Sequence, residues 1–326
     1  MTASPAATPT PTATSVPTES GLVAADIDGV LADPAKAHRL PLVVSIDDAR
    51  VARPQSGFNA ASLVFQAPAD GFETRYLLVF QEGDASQVGP VRSARIYLAQ
   101  WASEFRAALA HYGGDRLTRT WMSANRGKVF TDVDGIGAGN PAYHRIAERD
   151  APHNAYTTTA DIWRVAGTLG GGDSLDPAVH LRPFRDDAPV AERGSTQTIS
   201  IPYRTVTVGY TYDAGANDYR RTLDGTAHLD PMDGRQVTAR TIVVLSMPFR
   251  TDNTIEAGHN RPVLGFIGSG PATIFMEGRS VAGTWSKADE TAPTIISDAD
   301  GRELPLIRGR IFIQVVPTGT KVTVGA

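Results

Sequence analysis

From Leu40 onward, short apolar runs alternate with clusters of turn-forming residues. Leu40-Pro41-Leu42-Val43-Val44-Ser45-Ile46 is apolar almost without interruption and ends at Asp47-Asp48. A run of that length, closed by two carboxylates, predicts a strand buried on both faces. Residues 61–67 and 75–81 predict two more strands, with Asp70-Gly71 in the turn between them. Gly89-Pro90 then interrupts the pattern, because proline fixes φ and has no N–H to give to a ladder. Residues 96–109 predict an amphipathic helix with Ile96, Leu98, Ala99, Trp101, Phe105 and Leu109 on its core face. Ala110-His111-Tyr112-Gly113-Gly114 reads as a strand end running into a glycine turn, and Thr159-Ala160-Asp161 as the cap of a helix over residues 161–168.

The pattern changes after Gly170-Gly171-Gly172 and the charged, proline-containing stretch 183–194. Residues 195–201, 204–212, 218–223, 237–246, 262–267, 271–276, 279–285 and 308–316 are rich in Thr, Val, Ile and Tyr and are separated by turns, several of them Asp-Gly. Many short strands with no helix between them predict a sandwich or a strongly curved sheet. The fold class expected is therefore α+β, with a mixed α/β N-terminal domain over residues 21–190 and an all-β C-terminal domain over residues 195–326. The joint at 183–196 has the composition of a domain linker, so limited proteolysis there is expected to release two resistant fragments. Residues 1–20 hold only Met and a Thr/Pro-rich mixture of small and polar residues and Val. Such a segment cannot bury enough apolar surface to offset its ordering entropy and reads as a disordered tether.

Composition narrows the function classes. A formal net charge of −4 gives no electrostatic case for nucleic acid or an anionic membrane surface. No apolar run is long enough to span a bilayer as a helix. The absence of Cys excludes thiol catalysis, disulfides and cysteine-ligated zinc. No metal site or cofactor is expected.

Three short motifs read as coincidences. Asp26-Ile27-Asp28-Gly29 copies a phosphatase phosphoaspartate motif without a strong preceding strand, Gly172-Asp173-Ser174-Leu175 copies a serine-hydrolase block inside a linker, and Asp298-Ala299-Asp300-Gly301 copies the start of a calcium loop but fits a hairpin turn.

The stronger candidate lies in the N-terminal half, centred on Gly89-Pro90-Val91-Arg92-Ser93-Ala94-Arg95. Arg92 and Arg95 are three residues apart at a predicted helix start and can share a face. Positive side chains there oppose the macrodipole, and an anion held between the guanidiniums and the free N–H groups would reconcile them. Arg53 and Ser56 sit in a turn, Arg75 opens a strand, His111 ends one, and Ala151-Pro152-His153-Asn154 adds a His-Asn pair. In an α/β sheet such strand ends and loops converge on ligands. The expected site comprises Arg53, Ser56, Arg75, Arg92, Ser93, Arg95, His111, His153 and Asn154, taking a phosphate, carboxylate or sugar-phosphate group. A hydrolase or transferase could use the same cleft, with His111 or His153 as general base and Asp47 or Asp70 orienting it. The plainer alternative is a structural module in which these arginines pair with Asp47, Asp48 or Asp70.

The phrases ARPQSG, TRYLLVFQ, GPVRSAR, HYGG and APHNAYT, followed by GSGPATIF, GTWSK and IQVVP, together resemble the YerB-like lipoprotein family over roughly residues 21–317. That resemblance implies an exported, membrane-tethered bacterial protein of two domains whose biochemical activity is not defined; the arginine-lined cleft adds an anionic envelope component as the expected partner, with an unknown protein as the alternative. This sequence carries no signal peptide and no acylatable Cys, so the anchor is expected to have been removed and Met1 to be an added start. Two departures stand out. The family usually has Glu where Gln66 stands, and a Glu-Gly-Gly stretch in place of Asp70-Gly71-Phe72. A catalytic carboxylate at position 66 would leave this chain impaired.

Overall fold

A computed structural model describes residues 21–195, 197–256 and 259–325. The Thr/Pro-rich segment 1–20 lies outside the described residues. The elements that build the two main sheets and their helices are, in chain order, β1 (Leu42–Asp47), β2 (Leu63–Pro68), β3 (Thr74–Phe80), α1 (Ile96–Glu104), β4 (Ala108–His111), α2 (Arg116–Asn125), β5 (Thr131–Asp134) and α3 (Thr159–Thr168). The second half adds β6 (Thr198–Pro202), β7 (Thr207–Asp213), β8 (Asp218–Leu223), β9 (Thr241–Met247), β10 (Gly268–Met276), β11 (Arg279–Lys287), β12 (Ile295–Ser297) and β13 (Ile311–Pro317).

Every residue of β1 is buried, as its apolar run predicts, and so is every residue of β2 and β3, the polar Gln66, Thr74 and Arg75 included. Successive side chains alternate between the two faces of the sheet. Leu42, Val44 and Ile46 enter one core cluster with Val64, Tyr76 and Leu78. Val43 enters the other, with Phe65, Leu77 and Val79. The sheet is thus covered on both sides.

Its order is β12-β11-β10-β9-β13-β2-β3-β1-β4-β5, ten strands drawn from both halves of the chain. The halves meet in a parallel ladder that pairs Leu63 with Ile311, Val64 with Phe312, Phe65 with Ile313 and Gln66 with Gln314. A second sheet of six strands runs Thr226–Ala227, β8, β7, β6, Thr323–Gly325, with Thr238–Ala239 beside β8. Ile199, Ile201, Val208, Tyr210 and Tyr219 bring it onto the face that carries Val64 and Phe312. The fold is α+β, and past Gly194 the described elements are all strands. The sandwich expected of the second half is present, although one of its layers continues through the first half.

The predicted helix over 96–109 is shorter than its pattern indicated. It ends at Glu104; Arg106 takes a left-handed φ of 46°, and Leu109 belongs to β4. A turn too short to break the apolar run hid the change of period. Helix α1 is buried from Tyr97 to Glu104, against Phe65, Leu77 and Phe266. Helix α3 starts at Thr159, two residues before the expected 161, and its cap is Thr158 and not the 159–161 segment: Thr158 Oγ1 accepts from the Asp161 N–H at 2.9 Å. Asp298-Ala299-Asp300-Gly301 is a hairpin turn, in which Asp298 Oδ1 accepts from the N–H groups of Asp300 and Arg302.

Candidate functional site

The two carboxylates that close β1 part company because a strand sends neighbouring side chains to opposite faces. Asp47 points with Val43 toward the α1 side and Asp48 with Ile46 toward the second sheet. Each collects its own set of partners.

Asp47 faces Arg75 directly across the β1–β3 ladder. The segment Val88–Arg92 lies along the end of β1, held by Asp47 N–H to Pro90 O at 2.9 Å and Arg92 N–H to Ser45 O at 2.8 Å. It sets Arg92 Nε 3.2 Å from Asp47 Oδ2, without the alignment of a hydrogen bond. The 149–154 loop closes over this point. Arg149 donates to the carbonyls of Ala52 and Pro54, and Asn154 accepts from Arg145 while its own N–H₂ reaches Ile146 O. His153 Nδ1 then donates to Asp47 Oδ2 at 2.7 Å.

Asp47 is 1% exposed, His153 23% and Arg92 30% at their side chains, so a buried carboxylate orients a partly exposed guanidinium and a partly exposed imidazole. Burial alone would raise the Asp47 carboxyl, but the Arg75 and Arg92 guanidiniums, the Ala49 N–H and His153 outweigh it and hold the group below the usual carboxylate range. Arg75 is buried and pulled down to about 10 by desolvation and by Arg95. Its terminal nitrogen donates to Ser93 O at 2.6 Å and Ser93 Oγ at 3.1 Å, while its Nε has no partner among the described residues. Glu73, which sequence reasoning missed, completes the group. Burial and the charges of Asp47 and Asp48 raise its carboxyl.

The other predicted residues are brought near but are already engaged. Arg95 donates to Asp70 Oδ2, to Ser93 Oγ at 3.0 Å and to Ala94 O at 2.7 Å. Asp70 also accepts from Arg261 at 2.9 Å, across 191 residues of chain. Asp70 therefore bridges two arginines and orients neither histidine. Arg53 goes to the opposite face, donating from Nε to Asp48 Oδ1 at 2.9 Å. Ser56 donates to Gln87 Oε1 at 2.9 Å and pairs by backbone with Gly89, away from the cluster. The four-arginine clamp does not assemble as expected, because Arg53, Arg75 and Arg95 are each held by carboxylates, carbonyls or Ser93.

His111 does not fit a general base. Its Nδ1 lies 2.9 Å from Gly113 O and its Nε2 2.9 Å from Asp132 Oδ1, so both nitrogens face acceptors. Burial pushes the imidazole down, but the bond to Asp132 and the charge of Asp134 win and raise it above 6.5. Such a cation stabilises the fold fully below its unfolded value, and the contribution fades as pH rises through the raised folded value. The stability lost in His111→Gln is therefore expected to be largest below pH 6.5 and to shrink at alkaline pH. Thermal melts of both proteins across that range check this; a pH-independent difference contradicts it.

Asp48 leads into a network buried between the sheets. Gln66 Nε2 donates to Thr74 Oγ1 at 2.8 Å and to Asp48 Oδ2 at 3.2 Å, and Gln66 Oε1 accepts from Arg221 at 2.6 Å. Arg221 also donates to Tyr76 OH at 3.1 Å, Tyr210 OH at 3.2 Å and His228 Nδ1 at 2.6 Å. Position 66 has no exposure, so it serves this interior network and not a solvent-facing base. Among the described residues no cluster of three or more His, Asp or Glu is placed to hold a metal ion.

Comparisons with known proteins agree with this architecture. Two family models match in order: "Protein of unknown function (DUF3048) N-terminal domain" over residues 28–171 and the corresponding C-terminal domain over residues 199–313. The chain is 27% identical over 312 residues to "Putative lipoprotein YerB" of Bacillus subtilis (strain 168), covering 93% of this chain and 88% of that protein. The crystal structure of the YerB protein from Bacillus subtilis shares the fold, with a TM-score of 0.81 and 24% identity over 93% of this chain and 99% of that one. The chain belongs to the two-domain family defined by the DUF3048 N- and C-terminal domains.

Proposed function

We propose that this protein is an extracytoplasmic, lipid-anchored component of the cell envelope that binds an anionic group at Arg92 and His153. The anchoring rests on the lipoprotein name of its relative and on the Thr/Pro-rich composition of residues 1–20. The binding reading rests on one observation. Arg92 keeps both terminal guanidinium nitrogens without a hydrogen-bond partner among the described residues, beside the exposed edge of His153, while the arginines around it are engaged. A planar fork of that kind matches phosphate or carboxylate at two points. Asp47 fixes its root, and Arg75 lends positive charge from beneath.

Arg92→Ala is expected to weaken binding of inorganic phosphate or glycerol phosphate by about ten- to a hundredfold, the loss of a charge-assisted bond. It should lower the melting temperature only modestly, because Asp47 keeps Arg75, the Ala49 N–H and His153. Arg95→Ala should do the reverse, since it strips a buried partner from Asp70 at about 3–5 kcal/mol. Calorimetric titration and thermal melting of the two variants check this. Equal phosphate affinity in wild type and Arg92→Ala, or no affinity in either, ends the proposal.

A second reading is favoured by the Asp47–His153 pair itself. A buried carboxylate holding Nδ1 leaves Nε2 as the basic nitrogen, which is the arrangement of a general base with its orienting group. In this reading the envelope substrate is hydrolysed or transferred, with water or a substrate hydroxyl activated by His153. Its signature would be turnover of cell-wall fragments, followed by mass spectrometry, that disappears in His153→Ala and survives in His111→Gln.

A further inference from the structure

Three parallel strands end side by side where the two halves of the chain join. Strand β9 stops at Met247, opposite Pro317 at the end of β13, and β2 beside them stops at Pro68. In open α/β sheets the crevice outside the carboxyl ends of parallel strands is where ligands bind. A cavity of about 390 Å³ opens at this place, walled by Pro68, Pro317 and Phe249 beyond the three strand ends and by Pro202 and Tyr203 at the end of β6. Small-molecule pockets start at roughly 300 Å³ and are mostly apolar.

The remaining wall carries two features that the fold does not account for. Phe72 holds a left-handed φ of 65° and is 39% exposed. That region crowds any side chain with a Cβ, and glycine is the residue that enters it freely. A ring left so open to solvent recovers little of the cost through burial, and backbone outliers of this kind gather at ligand sites. The Arg204 guanidinium lies over the Phe72 ring, 3.6 Å from its centroid, and makes no hydrogen bond or ion pair among the described residues. The other polar side chains of the wall are engaged. The Tyr203 hydroxyl is 3.3 Å from Gln66 O and 3.2 Å from Gln314 Oε1, and the Thr320 hydroxyl donates to Pro317 O at 2.7 Å. Among the described residues no carboxylate lines the cavity. The one charge on an otherwise apolar and aromatic wall is therefore positive and uncommitted.

We infer that this cavity is a second binding site, for a small aromatic carboxylate. The ring would pack among Phe72, Tyr203 and Phe249, whose faces and edges suit another aromatic group. The carboxylate would take the terminal N–H groups of Arg204, a planar fork matched to two oxygens. An ammonium on the same body would meet like charge. The cavity includes neither Arg92 nor His153.

Isothermal titration of the full chain with 3-phenylpropionate, its neutral amide 3-phenylpropionamide and the cation 3-phenylpropylamine tests this. Saturable binding of the carboxylate is expected, with the amide weaker by about three- to tenfold, between the contribution of an exposed ion pair and that of a charge-assisted hydrogen bond. The amine should bind most weakly. Arg204 is exposed, so Arg204→Gln spares the fold; it should weaken the carboxylate to the level of the amide and leave the amide unchanged. Phe72→Gly suits the backbone at that position and should weaken carboxylate and amide alike. Arg92→Ala should change none of these affinities, which separates this site from the anion site. The inference is overturned if the carboxylate does not bind saturably, if the amine binds as well as the carboxylate, or if Arg204→Gln binds the carboxylate as wild type does. It is overturned also if Phe72→Gly dissociates a dimer and leaves probe binding intact, which would give the cavity to a second copy of the chain.

Discussion

Residues 21–194 and 195–326, produced as separate chains, are expected not to fold, and co-production is expected to recover one folded complex. Strands β2 and β13 are central in the ten-stranded sheet and are buried almost throughout their length. Cutting the chain between the halves leaves the β2–β13 ladder intermolecular. In isolation each half would present a long apolar strand edge to water, a template for aggregation. The six-stranded sheet would lose Val64, Tyr76 and Leu78 as part of its packing surface, and α1 would lose Phe266 and Leu264. The measurement is cooperative melting of each half by calorimetry, together with size-exclusion chromatography of the co-produced pair. A sharp transition from either half alone would show that the halves fold independently. Cleavage at the 183–196 joint is accordingly expected to yield a nicked protein that stays together, in place of the two separate fragments that composition indicated.

Arg221→Met is expected to lower stability by about 3–5 kcal/mol, the cost of breaking a buried charged network. For a chain of this size that is roughly a 4–7 °C fall in melting temperature. Arg221 has no exposure and, among the described residues, makes no hydrogen bond to a carboxylate. Its charge is carried by two tyrosine hydroxyls, Gln66 and His228, with Asp48 one step further through Gln66. Burial and the Arg221 charge together drive the His228 imidazole well below 6.5, so the ring is neutral and its Nδ1 accepts from the guanidinium. Removing Arg221 leaves Gln66 Oε1, Tyr76 OH and His228 Nδ1 without their donor at once. Arg221→Lys should recover little, because one ammonium cannot reach acceptors spread around a planar fork. Chemical and thermal unfolding of both variants test this. A loss below about 1 kcal/mol for Arg221→Met would mean that these groups find other partners or water.

The contrast between Arg95 and Arg92 shows what spacing can and cannot convey. Their separation of three residues put both near one helix start, and both are indeed near it. Arg95 is the residue before α1, in extended conformation, and Arg92 lies earlier in the segment beside β1. Pairing of these arginines with Asp47, Asp48 or Asp70 is one of the alternatives the sequence offers, but the spacing does not say which arginine takes which carboxylate, nor that Asp70 is shared with Arg261 from a hairpin far along the chain. Glu73 was overlooked for the opposite reason. It sits in a turn next to Thr74-Arg75, where a carboxylate looks like ordinary solvation, and burial together with its closeness to Asp47 and Asp48 raises its carboxyl.

The separation of Asp47 from Asp48 was within reach of the sequence, because two residues at the end of a strand must face opposite ways. Which partners waited on each face was not. What the sequence determined by itself was local: the buried apolar run of β1, the strands at β2 and β3, the start of α3 to within about two residues, and the strand rhythm after Gly194. These follow from side-chain periodicity and turn chemistry, which act over a few residues. Only the tertiary structure decided that β2 would pair with β13, that Gln66 would meet Arg221, and that His153 would find Asp47. Each of these joins residues from 106 to 248 positions apart, the largest being Leu63 with Ile311. Contacts at that range are selected by the burial of whole faces against one another, and that energy is not written in any one segment.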